Sequence, residues 1–417
     1  MLKRYLLAGA LCFAVACGLL PGTTESASPR SAAHKLRLSW ALIPKAVTYD
    51  VILFDGGDPQ TAQQIALYRS ISSPGIELDE RTLPKNVRAG YFLARGVDRD
   101  GHPVGESPLR PIKAAEMSPK APLVLDEYAA MAYLPVYPVY AWVPVLHASS
   151  YEVEVWREPE KPQGKAERVR HFYTYESVVY DETGLRLSGH YWWRVRALDG
   201  AGRRYSDWSA PTPWTIETPT PIAALGDSIT HGGGAISTPP CHTLYNWETY
   251  ASVPVKNLGY SGDTTTAMAD RFEADVLPFS PRILIVMGGV NDFRGGTPAR
   301  VTIRALTQIA DKCRAHGIVP VFVTATPIHP KRMAESFAIE PAAADWKKKQ
   351  RQINDWIMAQ PHAIDVTAAL TDADGNLRAD YTADGLHPDD EAKRSIGETI
   401  GRYVKAHFPA LAAATKK

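Results

Sequence analysis

The sequence has little of what would point to a nucleic acid, a metal or a bound cofactor. The formal net charge is only +1 over 417 residues, so charge gives no argument for a nucleic acid or an anionic membrane as a partner. Four cysteines are too few for a disulfide scaffold, and their spacing matches no zinc pattern. No phosphate-binding glycine loop, EF-hand loop or His-Glu-x-x-His motif occurs. We therefore expect neither a metal nor an organic cofactor.

Long apolar runs are also scarce, and the one at the start of the chain is read as an export signal. A basic start precedes the apolar stretch 5–16, which is too short for a permanent membrane helix. The small-residue site Ala14-Val15-Ala16 is followed directly by Cys17. This resembles a bacterial lipoprotein signal, in which the cysteine becomes lipidated, although such signals usually carry leucine where Ala14 stands. Simple secretion with an incidental Cys17 stays open as the alternative.

Export places the protein outside the cell, in the periplasm or on the cell surface. We expect a signal peptide over residues 1–16 and a tether rich in serine, threonine, proline and glycine over 17–34. Any membrane contact would then pass through the lipid on Cys17.

The stretch from 35 to 217 has the two-residue period of β-strands. Runs such as Tyr151–Val155 alternate apolar and polar side chains, as half-buried strands do. The pattern also repeats: Trp40 and Trp142, like Tyr49 and Tyr151, lie about a hundred residues apart. The repeat predicts two β-sandwiches in tandem, over 35–116 and 119–217.

These two units resemble fibronectin type III modules. In both, a tryptophan is followed by Ala-x-x-Tyr-x-Val, and the second also has the runs Tyr191–Ala197 and Tyr205–Ser209. The first unit is the more divergent. Exposed aromatic side chains could bind glycans, but we favour Trp40 and Trp142 as core residues of two spacers, since a buried tryptophan is the expected core of such sandwiches. A proline-bearing segment, 218–221, is expected to be a stiff join to the next domain.

From residue 222 the pattern changes to short apolar strands separated by amphipathic segments. Continuous apolar strands with intervening helices predict a parallel sheet covered on both faces, with its site at the carboxyl ends of the strands. The predicted strands are 222–227, 254–259, 283–288, 319–325 and 363–366, and the predicted helices are 264–275, 297–316, 341–359 and 389–407.

Four polar segments lie where these strands end or where the last helix begins. The first is the turn that carries Ser228, which suits a nucleophile because a rigid strand holds its side chain at the surface. Two others bring the backbone amide of Gly262 and the side-chain amide of Asn291 to the same edge of the sheet. In the fourth, Asp384 and His387 are three residues apart, so the carboxylate can bind one imidazole nitrogen and leave the other for Ser228. Each segment alone could also be an ordinary turn or the start of a helix. Coincidence does not readily explain all four segments in this order.

The other polar side chains here are expected to have structural roles. Ser261 is the weaker candidate for the nucleophile, because it precedes a glycine in a loop and no base is predicted nearby. Asp227 and Asp292 are expected to accept hydrogen bonds rather than to react. We expect Cys241 and Cys313 to be free and buried. Three loop histidines are expected at the surface: His231, His242 and His329.

Together the four segments resemble the SGNH (GDSL-type) hydrolases over residues 222–408. The resemblance implies a three-layer, flavodoxin-like α/β domain around a five-stranded parallel sheet. It also implies Ser228 as nucleophile, His387 as general base and Asp384 as the residue that orients the imidazole. The oxyanion hole would combine the backbone amides of Ser228 and Gly262 with the side chain of Asn291.

The expected function is that of a secreted or surface-anchored serine esterase. An exported enzyme behind two sandwiches suggests a short-chain O-deacetylase that acts on polysaccharide. The alternative enzyme is a lysophospholipase, arylesterase or thioesterase with a longer acyl pocket. From another class, the chain could be a glycan-binding adhesion protein with a vestigial hydrolase domain. The sequence leaves the oligomeric state open.

Overall fold

The computed structural model of the protein describes residues 34–58, 61–85, 87–161, 163–234, 238–336 and 339–413. The predicted signal peptide over 1–16 and Cys17, with nearly all of the predicted tether, lie outside the described residues. Among those residues, no helix combines the length and the apolar character needed to cross a membrane.

The first unit is built from antiparallel strands. β1 and β4 pair with each other, while β3, β2, β5 and β6 form a second sheet in that order, with β7 also paired to β5. Alternate side chains such as Leu36, Val51 and Phe92 are buried in one apolar core, as the two-residue period predicts. Its strands are β1 (Lys35–Ser39), β2 (Thr48–Phe54), β3 (Gln64–Ile71), β4 (Gly75–Asp79), β5 (Tyr91–Val97), β6 (Pro103–Glu106) and β7 (Arg110–Pro111).

The second unit is also antiparallel, with one sheet in the order β10-β9-β12-β13 and a smaller pair of β8 with β11. Trp142 is only 1% exposed, so its predicted place in the core is confirmed. Trp40 of the first unit is half-buried, with its ring 5.3 Å from that of Tyr49. The strands are β8 (Val139–Ala141), β9 (Ser150–Arg157), β10 (Glu167–Thr174), β11 (Val178–Tyr180), β12 (Gly189–Leu198) and β13 (Thr212–Ile216).

The third part is the predicted five-stranded parallel sheet, in the order β15-β14-β16-β17-β18. This is a flavodoxin-like order that reverses at β14, and such a reversal opens a crevice at the carboxyl ends of the neighbouring strands. Its strands are β14 (Ile222–Gly226), β15 (Lys256–Gly259), β16 (Ile283–Met287), β17 (Val319–Val323) and β18 (Ala363–Ile364).

Helices cover both faces of this sheet, and two differ from prediction. The predicted helix 264–275 is broken at Arg271, whose side chain turns back to donate to the carbonyls of Leu258 and Gly226. The predicted helix 341–359 begins five residues late, because the segment before it pairs with Arg294 through the amide of Ala343. The described helices are α1 (Ser228–His231), α2 (Thr265–Asp270), α3 (Phe272–Asp275), α4 (Val290–Arg294), α5 (Ala299–Ala315), α6 (Pro330–Ala334), α7 (Trp346–Met358), α8 (Thr367–Leu370), α9 (Asp390–His407) and α10 (Pro409–Ala412).

The second unit and the parallel-sheet domain share one continuous apolar core. The backbone amide of Val136 donates to the carbonyl of Asn257, at 3.0 Å, so a segment of the second unit lies along the edge strand β15. The buried Lys256 donates to the carbonyl of Leu134, at 2.6 Å. The second unit is therefore packed into the parallel-sheet domain, which differs from the free spacer favoured by the sequence.

Candidate active site

Ser228 lies on the turn between β14 and α1, at the carboxyl end of a central strand. Asp227 caps the helix by accepting a hydrogen bond from the amide of Ile229, at 2.9 Å. This cap gives the chain an abrupt change from strand to helix at Ser228. The side chain is held by rigid elements on both sides, yet 8% of the residue remains exposed.

The structure brings Ser228, His387 and Asp384 together although they lie far apart in the sequence. Nε2 of His387 is 3.0 Å from Oγ of Ser228, and Nδ1 is 2.7 Å from Oδ2 of Asp384. A carboxylate can only accept, so Nδ1 carries the proton and Nε2 is free to accept from the serine hydroxyl. The three groups therefore form a continuous hydrogen-bonded chain from hydroxyl to imidazole to carboxylate.

Asp384 stays ionised although it is buried. Its Oδ1 accepts hydrogen bonds from the amides of Leu386 and His387, at 2.9 and 2.8 Å. Burial alone would raise the pKa of Asp384, but the nearby His387 and these two donors outweigh that effect and hold the pKa below its usual value. The carboxylate is thus available at neutral pH to orient the imidazole.

Three hydrogen-bond donors lie at the same end of the sheet as Ser228. Asn291 follows β16 on α4, and its side-chain amide is fixed at both ends: Nδ2 donates to the carbonyl of Asp263, at 2.8 Å, and Oδ1 accepts from Nε of Arg294, at 3.0 Å. The second N–H of that amide has no acceptor among the described residues. The backbone amides of Ser228 and Gly262 donate to no acceptor within the described residues. Gly262 has a φ of +91°, a conformation that favours glycine.

Asp292 and Asp227 have the hydrogen-bonding roles that their positions predict. The carboxylate of Asp292 accepts from the amide and hydroxyl of Thr265 and from the hydroxyl of Thr302, and so joins α4 to α2 and α5. Asp227 is completely buried, and burial raises its pKa to about 7. Its Oδ2 has no hydrogen-bond partner among the described residues.

Ser261 does have a histidine beside it, contrary to the sequence-based expectation. Nδ1 of His231 lies 2.8 Å from Oγ of Ser261, and Nε2 lies 2.7 Å from the carbonyl of Tyr137. Because a carbonyl only accepts, Nε2 carries the proton and Nδ1 accepts from the Ser261 hydroxyl. His231 is 3% exposed, and burial lowers its pKa to about 4. It therefore holds the turn before Gly262 as a neutral imidazole.

The expected surface position is thus wrong for His231, and also for His242, which is 4% exposed. Tyr137 of the second unit covers His231, whereas His242 lies near Glu127 of the second unit and shares a small cavity with Tyr49 of the first. No local pattern in the sequence reports such packing. His329 is half-buried and caps α6 by accepting from the amide of Arg332. Cys241 and Cys313 are free and buried, as predicted.

Tyr137 is a residue near the site that sequence reasoning missed. Its ring is 4.7 Å from that of Tyr260, in the turn before Gly262, and its hydroxyl donates to the buried Asp275, at 2.6 Å. It belongs to the second unit, outside every motif, so only its contacts identify it.

One group of side chains in the described residues could reach a common metal ion: Glu152, Glu154 and His171. It lies on the second unit, away from Ser228. Its acids already have cationic partners, since Arg196 binds Glu152, and Arg194 binds Glu154 at 2.7 Å. These contacts fit a ladder of ion pairs on a sheet face better than a metal site.

Comparison with known proteins gives a family-model match that falls on the parallel-sheet domain. Residues 224–394 match the model of the GDSL-like lipase/acylhydrolase family. A curated relative, the uncharacterized lipoprotein YqeF of Bacillus subtilis (strain 168), is 31% identical over 118 residues, which are 26% of this chain and 49% of the relative. The chain thus spans about half the length of that relative.

Solved structures of similar shape include a lipase/acylhydrolase from Enterococcus faecalis, with 21% identity and a TM-score of 0.37, covering 44% of this chain and 95% of that one. A GDSL-like lipase from Bacteroides thetaiotaomicron has 20% identity and a TM-score of 0.35, and the match covers 45% of this chain and 89% of that one. An acetylxylan esterase from Geobacillus stearothermophilus has 17% identity and a TM-score of 0.35, with coverages of 45% and 95%.

Proposed function

We propose that this chain hydrolyses carboxylic esters through Ser228, His387 and Asp384, as expected for the GDSL-like lipase/acylhydrolase family, whose model residues 224–394 match. The observation that carries the proposal is the unbroken hydrogen-bond chain through these side chains, at 3.0 and 2.7 Å. These are distances at which a proton can pass from a nucleophile to its base.

The reaction would proceed in two steps. In the first, the Ser228 hydroxyl attacks the acyl carbonyl while Nε2 of His387 takes its proton, and the same histidine then returns the proton to the departing alcohol. In the second, His387 removes a proton from water as the water attacks the acyl-serine, and Ser228 leaves with that proton. Asp384 keeps the imidazole in the required tautomer and stabilises the imidazolium that forms in each step.

The negative oxygen of each tetrahedral intermediate would be bound by the amides of Ser228 and Gly262 and by Nδ2 of Asn291. Because Asn291 is fixed by Asp263 and Arg294 before substrate arrives, the donors need little reorganisation as charge develops.

For the substrate we propose a short acyl group, such as acetate, on a polysaccharide. In the described part of 224–413, Met358 at the end of α7 is the only exposed large hydrophobic side chain. A long acyl chain would need an apolar surface beside Ser228, and no exposed cluster of large hydrophobic side chains lies in this described part of the chain. A lysophospholipase, arylesterase or thioesterase remains the alternative enzyme.

We also propose that the chain is exported and anchored through Cys17. The basic start, short apolar stretch and small-residue site before Cys17 support this, and the matched Bacillus subtilis relative is a lipoprotein by name. Labelling with a fatty-acid analogue should mark the parent chain but not Cys17→Ser, and equal labelling of both would contradict the anchor.

An esterase panel on the purified mature protein tests the function. We expect p-nitrophenyl acetate to be cleaved faster than p-nitrophenyl decanoate, and acetylated xylan faster than lysophospholipid. Ser228→Ala should lose acylation and keep only the residual rate that binding and the oxyanion donors supply. Ser261→Ala is the matched control and should keep activity within about tenfold of the parent, since it alters the turn and not the nucleophile.

Two results would contradict the proposal. Loss of activity in Ser261→Ala as complete as in Ser228→Ala would remove the distinction between the two serines. Glycan binding by the whole chain, with no hydrolysis of any ester, would favour an adhesion protein.

A further inference from the structure

The turn between β5 and β6 of the first unit reaches the segment that carries Asp384. Arg99 lies in this turn, and its Nη1 donates to the carbonyl oxygens of Ala383, at 2.5 Å, and of Arg332, at 3.1 Å. Its Nη2 is 3.4 Å from Oε2 of Glu335. Only 21% of the Arg99 side chain is exposed, so these charge-assisted hydrogen bonds are partly shielded from competing water.

A second contact from the same unit flanks this segment on its other side. The backbone amide of Lys45 donates to Oδ1 of Asp390, at 3.2 Å, and its Nζ lies 2.9 Å from Oε2 of Glu391. Asp390 begins α9, shortly after His387. The first unit therefore contacts the chain both before Asp384 and after His387.

The loop between these contacts is also held by hydrogen bonds within the parallel-sheet domain. The carbonyl of Gly385 accepts from the amide of His329, at 2.7 Å, and the amide of Gly385 donates to the hydroxyl of Thr382, at 2.9 Å. The carbonyl of Ala383 accepts from Arg99 and from no other donor among the described residues. Arg99 thus provides the hydrogen bond that holds this peptide on the side facing the first unit.

We infer that Arg99 is a positioning residue for the proposed Asp384–His387 pair, and that the first β-unit is part of the working enzyme. The inference rests on the proposed function. Ala383 immediately precedes Asp384, so a shift of its carbonyl moves the carboxylate and, through it, the imidazole. A displacement of about 1 Å in a reacting group can lower a rate on the order of a hundredfold.

The test measures kcat and KM on p-nitrophenyl acetate for the full chain and three variants. We expect Arg99→Ala to lower kcat roughly ten- to a hundredfold while KM changes less than about twofold, because ground-state binding is untouched. Arg99→Lys should restore part of the loss, since an ammonium can still donate to Ala383. The matched control is Arg95→Ala, which removes an exposed ion pair with Glu106 inside the first unit and should keep the parent kcat.

Hydrogen exchange of residues 382–388 gives a readout independent of activity, and it should become faster in Arg99→Ala alone. If Arg99→Ala had the same kcat and the same rate of hydrogen exchange as the parent, the inference would be overturned. An equal loss of kcat in Arg95→Ala, or a loss no larger than the fraction of unfolded protein, would overturn it as well. If the parent shows no hydrolysis that depends on Ser228, the proposed function fails, and exchange alone then decides whether Arg99 holds the loop.

Discussion

Replacing Asn291 by alanine tests the proposed oxyanion hole most directly. The amide of Asn291 uses one N–H for the carbonyl of Asp263 and its oxygen for Arg294, so it offers a single donor to substrate. Removing one such donor costs on the order of 10²–10³ in kcat, or about 2.7–4 kcal/mol of transition-state stabilisation. The backbone amides of Ser228 and Gly262 remain, so we expect a loss in this range and not a complete one.

The loss should fall on kcat with little change in KM, because the bond to the oxyanion strengthens only in the transition state. Steady-state kinetics on p-nitrophenyl acetate measure it. Arg294→Gln leaves the Asn291 amide in place but removes the donor to its oxygen, and it should lower kcat roughly tenfold to a hundredfold. In a double-mutant cycle, Arg294→Gln should then cost much less when Asn291 is already alanine. A kcat within threefold of the parent in Asn291→Ala, or strict additivity in the cycle, would refute this assignment.

Three further predictions concern stability. Burial raises the pKa of Asp227 to about 7 from an ordinary value of 3.8. Between these values the folded protein binds one proton more than the unfolded chain, so it loses stability as pH rises from about 4 to 7. Asparagine does not titrate, so the Tm of Asp227→Asn should rise relative to that of the parent over this range. A Cβ at Gly401 would lie 1.7 Å from the carbonyl oxygen of Ala251, so Gly401→Ala should lower the free energy of unfolding by about 3 kcal/mol. Tyr137→Phe leaves a buried carboxylate, that of Asp275, with one donor fewer, and should cost about 1–3 kcal/mol by denaturant titration.

Two of these substitutions, Gly401→Ala and Tyr137→Phe, have a matched control in the chain. Glu398→Ala, on the exposed side of the same helix as Gly401, should change stability by less than about 0.5 kcal/mol. Tyr173→Phe, at a side chain that is 66% exposed, is the counterpart of Tyr137→Phe and should be equally mild. A Tm difference for Asp227→Asn that is flat with pH would contradict the raised pKa. An unchanged unfolding free energy in Gly401→Ala or Tyr137→Phe would contradict the close packing described at those residues.

The core-forming elements could be predicted because their signals are local. The five predicted strands of the parallel sheet are confirmed, each within two residues of its predicted ends. Most are continuous apolar runs, as expected for strands that are buried on both faces, although β15 also contains the buried Lys256 and Asn257. The helix break at Arg271 was missed. At the break the guanidinium of Arg271 reaches back to the carbonyls of Leu258 and Gly226, and helical periodicity carries no information about such a contact.

The candidate site likewise combines residues that local motifs predicted with residues that only tertiary contacts identify. Ser228 and Asn291 lie in short motifs at strand ends, and the carboxyl ends of parallel strands meet at one edge of the sheet. The Asp384–His387 pair lies in a short motif just before α9. His231 was expected at the surface, because nothing near it in the sequence shows that Tyr137 covers it.

The sequence by itself therefore determined which elements form, their order, and the polar residues at the edge of the sheet, because each depends on side chains a few positions apart. Tertiary structure alone decided that both β-units contact the loops around that edge, through Tyr137 at His231 and through Arg99 at Ala383. Those contacts join residues 94 and 284 positions apart. They depend on how whole units pack against each other, and the local periodicity of the sequence does not indicate that packing.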